Sequence, residues 1–267
     1  MSNTIGLYFR YVTIAIRAQM QYRLSFAMSA IGNLLVTAME FMMMWALFDR
    51  FKALNGWTLP EAAVIYGIVH VAFAIGETVP RGFDVFPGMI KSGNFDRVLL
   101  RPRNAVLQIL GQEIQFTKIG RFAQGFFVLL WGANTLQIIW TPAKIALTMG
   151  AIIGGACFFF GLFVMQATMA FWTIDSLEII NTLTDGGVET AQFPISIYKP
   201  WFKRFFTFVV PLAFVNYFPS LAILDRPENA SLPIMLPWLA PGVGVAFLVV
   251  CLHIWKIGVR HYCSTGS

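Results

Sequence analysis

Six stretches of this chain are apolar and poor in charge over about the length that a helix needs to cross a bilayer, roughly 20 residues. They fall at about 24–48, 59–77, 119–139, 143–171, 205–223 and 236–257. The first carries one charge, Glu40; the third opens beside Lys118 and Arg121, whose long side chains can snorkel to the interface. Composition agrees, with 57% hydrophobic and 12% charged residues and a mean hydropathy of +0.68. An ordinary soluble domain is about 25% charged, and a soluble chain of 267 residues cannot cover its surface with so little. Soluble enzymes, disordered tails and nucleic-acid modules are excluded. The expected fold is a single all-α membrane domain over 1–267 with six transmembrane helices.

Tryptophan favours the membrane–water boundary, and none of the eight falls in mid-span. Trp45 and Trp57 flank the first hairpin, Trp131 and Trp140 the second, and Trp172, Trp201, Trp238 and Trp255 lie near other segment ends. With the N-terminus cytoplasmic, the 19 Lys and Arg residues all lie inside except Arg50, Lys52, Lys144 and Arg226. The positive-inside rule then places both termini in the cytoplasm. The net charge of +6 records orientation rather than a nucleic-acid footprint.

Local signals refine this outline. Thr58-Leu59-Pro60-Glu61 reads as a capping box with Pro in the first turn, a clean start for the second span. Residues 4–22 set Arg10, Arg17 and Gln21 on one side and Leu7, Tyr11, Ile14 and Ala18 on another, the pattern of an amphipathic helix in the membrane interface. Gly150, Gly154 and Gly161 give the fourth span a small-residue seam, suited to packing within the chain or, less expectedly, to a dimer contact. Pro211, Pro219, Pro227, Pro233, Pro237 and Pro241 rule out unbroken helix over 211–241, and short re-entrant or interfacial pieces on the outer side are expected there. Asn229-Ala230-Ser231 fits a glycosylation sequon that a bacterial context would leave unused. Cys157, Cys251 and Cys263 have no spacing that points to a disulfide framework or zinc site. The first 23 residues lack the compact apolar core of a cleavable signal peptide.

The sequence has no GxxxxGK[ST] phosphate cradle, no HExxH and no GxSxG, so neither an ATPase nor an intramembrane hydrolase is expected in this chain. Asn33, Thr37 and Glu40 recur at i, i+4 and i+7, a polar stripe on the first span, and an intramembrane carboxylate is a candidate functional group. Two roles stay open for Glu40: lining a translocation path, or pairing structurally with His70 near the middle of the second span. Glu77, seven residues after His70 on the same face, is expected to order the adjoining loop. The most distinctive stretch is the cytoplasmic loop over 80–104, which alternates apolar residues with charges and turn-forming glycines. It is expected to be a docking element with a short helix near 85–92; resting on anionic headgroups is the other reading.

The segment Ile90-Lys91-Ser92-Gly93-Asn94-Phe95-Asp96-Arg97-Val98-Leu99-Leu100-Arg101-Pro102 resembles the I-x-x-G-x-h-D-x-x-L-h-R-P loop (h hydrophobic) of ABC-2 type transporter permeases, and of a bacterial branch in particular. Gln21-Tyr22-Arg23 with Phe26, Gly56-Trp57, Ala170-Phe171-Trp172, Phe193 to Tyr198, Val210 to Phe214 and Tyr217-Phe218-Pro219 are similar to other pieces of that family, in order along nearly the whole chain. The resemblance implies a six-helix permease subunit of ABC-2, type V exporter-like architecture in the bacterial plasma (inner) membrane. It implies two cytosolic ABC ATPase subunits as partners, and a second permease, either a related distinct chain or a second copy. The chain would bind no cofactor itself, ATP and Mg residing on the ATPases. The coupling loop would use Phe86, Met89, Ile90, Lys91, Gly93, Phe95, Asp96, Arg97 and Arg101, and the candidate path Asn33, Thr37, Glu40 and His70. Lipid, peptide, drug and polysaccharide all remain compatible substrates. An ion-gradient-driven carrier would need a denser set of intramembrane charges and an inverted repeat, neither of which is visible in the sequence.

Overall fold

A computed structural model describes residues 4–173, 177–227, 233 and 235–263. In chain order the helices are α1 (Thr4–Gln21), α2 (Arg23–Phe51), α3 (Leu59–Thr78), α4 (Arg81–Asp84), α5 (Phe86–Lys91), α6 (Asn94–Leu99), α7 (Ala105–Leu110), α8 (Ile119–Thr135), α9 (Pro142–Met169), α10 (Leu177–Ala191), α11 (Pro200–Arg204), α12 (Leu212–Val215), α13 (Tyr217–Ile223) and α14 (Ala240–Arg260). No strand occurs among the described residues. The sequon at 229–231 and part of the Pro-rich stretch lie outside them.

Among the described residues four helices are long and apolar enough to cross a membrane: α2, α3, α9 and the Pro237–Arg260 segment that contains α14. The start of α3 follows its sequence signal, with both N and Oγ1 of Thr58 2.8 Å from Glu61 Oε2. The stretch at 119–139 ends early: α8 has 17 residues, about 26 Å of helix at 1.5 Å per residue, and Gln137 adopts a positive φ beyond it.

Small residues set the helix packing. A Cβ on Gly67 or Gly125 would meet α8 or α3 within 3 Å, and α3 and α8 run antiparallel against one another through these positions. Gly154 meets the carbonyl of Ala240 and packs on Gly244, while Gly161 abuts Phe247 and Cys251, so the seam on α9 is filled by α14 of the same chain. Close backbone approach of this kind substitutes for the hydrophobic drive that is missing between helices in lipid.

Two stretches depart from the sequence expectation. The segment at 205–223 is not one straight helix: it belongs to two helical pieces, Pro200–Val209 and Leu212–Ile223, bent by 75°. The break falls at Val210–Pro211, where proline removes a backbone donor, and the turn before it, Phe205–Val209, is π-helical. Both ends of the pair lie at the end of the bundle where α2 turns into α3. There Trp57 Nε1 donates to Ser196 Oγ at 2.9 Å, Lys144 binds Asp225 at 2.5 Å, and Arg226 pairs with Glu61 at 3.4 Å. The bend reaches the middle of the bundle, with Asn216 donating to the Ala191 carbonyl and Val215 against Gly155. The second departure is α10, in a region with no expected helix, which packs on α9 and α3.

The N-terminal helix forms as expected and meets the protein through its tyrosines. Tyr8 reaches the core and Tyr11 covers Gly111, whereas Ile14 and Ala18, expected on the same apolar face, are exposed together with Phe9 and Ile16. Trp57 and Trp255 are wholly buried, so these two stabilise the interior instead of marking a lipid boundary.

Candidate functional site

The loop between α3 and α8 folds into four short helices. Left-handed Gly93 (φ 67°) turns the chain between α5 and α6, a conformation that glycine adopts without Cβ strain. Gly82 lies so close to the Ile109 carbonyl that no side chain fits. Arg81 pairs with Asp84, whose carboxylate also accepts from Gln166 of α9 at 3.1 Å.

These contacts divide the expected docking residues into two sets. Phe86, Met89, Ile90 and Phe95 are buried, not presented to a partner. Phe86 packs edge-on against Phe95 (4.9 Å between centroids), Phe171 (5.3 Å) and Trp255 (4.8 Å), and Phe95 meets Tyr262 at 5.0 Å. Burial, and after it the Asp96 carboxylate beside it, pushes the Tyr262 phenol up. The aromatic cluster thus fixes the loop to the ends of α9 and α14. Lys91, Arg97 and Arg101 are exposed, with Gly93 and Asp96 half-buried between them. Leu99 is 43% and Leu100 84% exposed, and Arg103 is exposed beside them. Arg97, Arg101, Asn94 and Gln112 line a cleft of about 240 Å³. The exposed face is an apolar tip ringed by guanidinium groups. Sequence reading chose the apolar residues by type; burial decides which of them a partner can touch.

The second constellation lies in the middle of the bundle. Thr37 serves α2 locally, donating to the Asn33 carbonyl at 3.0 Å, whereas Asn33 donates both to the Ser29 carbonyl at 2.8 Å and, across the bundle, to the Thr117 carbonyl at 3.5 Å. Tyr66 of α3 donates to the Thr37 carbonyl at 2.9 Å and stacks on His70, with ring centroids 3.9 Å apart. His70 is fully buried, with Nε2 4.0 Å from Glu40 Oε2 and 3.4 Å from Gln192 Oε1. Gln192 in turn donates to Glu189 at 2.5 Å. Glu40 and His70 therefore meet, and α10 adds groups that the sequence reading missed. Asp185 and Glu189 sit one helical turn apart on α10, both exposed, and act electrostatically on Glu40, as does Arg121 of α8. Nearer the loop Lys118 closes on Glu77 at 2.5 Å, consistent with an ordering role for Glu77. The signal available in the sequence was the i, i+4 spacing of Asp185 and Glu189 in a region free of spans.

No group of His, Cys, Asp and Glu able to hold a metal is found among the described residues. A bundle of long apolar helices with a folded polar loop at one end is the architecture of a multi-pass membrane protein. The family model described as ABC-2 family transporter protein matches residues 34–266, and the chain belongs to that family. Comparison with curated proteins and with solved structures gives no match.

Proposed function

We propose that this chain is the membrane subunit of an ATP-driven exporter of the bacterial inner membrane, working with cytosolic ATPase subunits and a second permease chain. The observation that carries the reading is the loop platform: a basic rim around exposed Leu100, tied by Phe86 and Phe95 to α9 and α14. A force applied to such a rim is transmitted to two long helices without first deforming the loop. In this reading α2, α3, α8, α9 and α14 cross the membrane, the chain crosses once more through α10 and the segment that follows it to Ser196, and the bent pair over 200–223 is a re-entrant hairpin that enters and leaves on the outer side. The break at Pro211 is tolerated because Asn216, α9 and α10 enclose it. Both termini are then cytoplasmic, and Lys199, Lys203 and Arg204 move from the inner count to the outer end.

Co-purification tests the docking assignment. The double reversal Arg97→Glu with Arg101→Glu is expected to abolish association with a co-expressed cytosolic ABC ATPase that the parent chain retains on purification, while Lys144→Glu, at the opposite end, leaves it intact. Unchanged association in the loop variant would sink the assignment. The intramembrane ionisable groups favour a second reading, a gradient-driven carrier. That reading predicts transport by vesicles containing no ATPase; the exporter predicts none.

A further inference from the structure

At the loop end of the bundle, where α1 gives way to α2, the chain leaves a cavity of about 390 Å³. Its walls come from three parts of the chain: Ala15 and Ala18 of α1, Ser25 and Ser29 in the first turns of α2, and Glu113 on the segment that leads into α8. Gln19 holds that segment against α1, donating to the Ile114 carbonyl at 2.5 Å and accepting from the Phe116 amide at 3.0 Å. With α1 lying in the interface, the cavity sits at the depth of the lipid headgroups.

The fold leaves the polar groups around this cavity underused. A helical serine or threonine can turn its hydroxyl back to the carbonyl four residues earlier, as Thr37, Thr78, Thr148, Thr168 and Ser220 do. Ser25 and Ser29, one turn apart, give their hydroxyls to no described residue, and both line the cavity. The contacts of Glu113 are long and fall on Oε1, Gln115 at 3.5 Å and Arg81 at 3.7 Å, and Arg81 is already paired with Asp84. Arg23, exposed between Tyr22 and Ser25 in the chain, pairs with no carboxylate among the described residues. Beyond the hydroxyls the wall becomes apolar. Ser25, Ser29, Gly32, Val36 and Met39 follow one another at steps of four and three and so form one row along α2. A Cβ on Gly32 would touch no protein atom, and Val36 and Met39 are exposed.

We propose that this cavity binds the headgroup of an aminophospholipid of the phosphatidylethanolamine type. One carboxylate, two hydroxyls and a neighbouring guanidinium match a ligand with one ammonium and one phosphate. The ammonium donates to Glu113, while the hydroxyls of Ser25 and Ser29 and the guanidinium of Arg23 donate to the phosphate. An acyl chain then follows the row from Gly32 to Met39, and this apolar continuation is what commits the site to a lipid rather than to a dissolved phosphate. Phosphatidylglycerol offers Glu113 no cation, and the methylated ammonium of phosphatidylcholine has no proton to donate. Bound there, the lipid bridges α1, α2 and the end of the loop.

Native mass spectrometry of the full chain reads the bound lipid directly. The chain is delipidated in detergent and given equal amounts of dioleoyl phosphatidylethanolamine, phosphatidylglycerol and phosphatidylcholine. The ethanolamine lipid is expected to be retained about tenfold more than either of the others. Ser25→Ala with Ser29→Ala is expected to remove that preference. Glu113→Lys is expected to invert it in favour of phosphatidylglycerol, a gain that misfolding does not produce. Equal retention of the three lipids by the parent chain, or an ethanolamine preference that persists in either variant, overturns the proposal.

Discussion

At the scale of single residues, burial divides side chains that the sequence presents as equivalent. Phe86 and Leu100 are both apolar members of one loop motif, yet Phe86 is enclosed by three aromatic rings and Leu100 stands 84% exposed. Truncating the enclosed ring leaves a cavity, and Phe86→Ala is expected to cost about 3–5 kcal/mol of stability, whereas Leu100→Ala costs little and weakens ATPase association instead. Thermal unfolding in detergent, set beside co-purification, separates the two effects. Gly93 is held at φ 67°, so Gly93→Ala carries about 1–2 kcal/mol of backbone strain; the same unfolding measurement checks it.

At the scale of elements, hydropathy was a sound guide where a helix meets lipid and a poor one where it meets protein or polar groups. The stretches at 24–48, 59–77, 143–171 and 236–257 all became long helices because nearly every side chain in them tolerates an apolar surround. Hydropathy does not reveal α10 because its polar residues, among them Thr184, Asp185 and Glu189, lower its average, although Thr184 is buried in the bundle. The apolar composition of 205–223 predicts one span, whereas the chain breaks at Pro211 into two pieces bent by 75°. Cysteine labelling distinguishes the topologies. In a background lacking Cys157, Cys251 and Cys263, Ser196→Cys and Asp225→Cys are both expected to react with an impermeant maleimide added outside intact cells. A single crossing over 205–223 predicts that only Asp225→Cys reacts.

For the whole molecule, the two constellations are joined through shared helices. The loop platform is clamped to α9 and α14, α9 packs on α3 and α10, and α3 carries His70. On the proposed function, displacement of the loop by a nucleotide-driven partner would reach the mid-depth groups through the glycine-seamed contacts of α9. Trp255→Ala is expected to leave ATPase association within twofold of the parent while lowering coupled transport at least tenfold. Equal transport with equal association would show that the aromatic clamp is not the transmission.

The sequence by itself determined that this chain is an all-helical membrane protein, because apolar length and scarce charge admit no soluble solution. It also determined the family, through the ordered motif around Ile90 to Pro102 that the match over residues 34–266 bears out. Only the tertiary structure decided which loop residues are exposed, that the apolar stretch at 205–223 breaks and bends at Pro211, and that Glu40 meets His70. The physical reason is distance along the chain. Hydropathy reports how each residue meets its average surroundings, whereas the meeting of Glu40 with a histidine thirty residues on, and with a helix farther still, is set by how the helices pack.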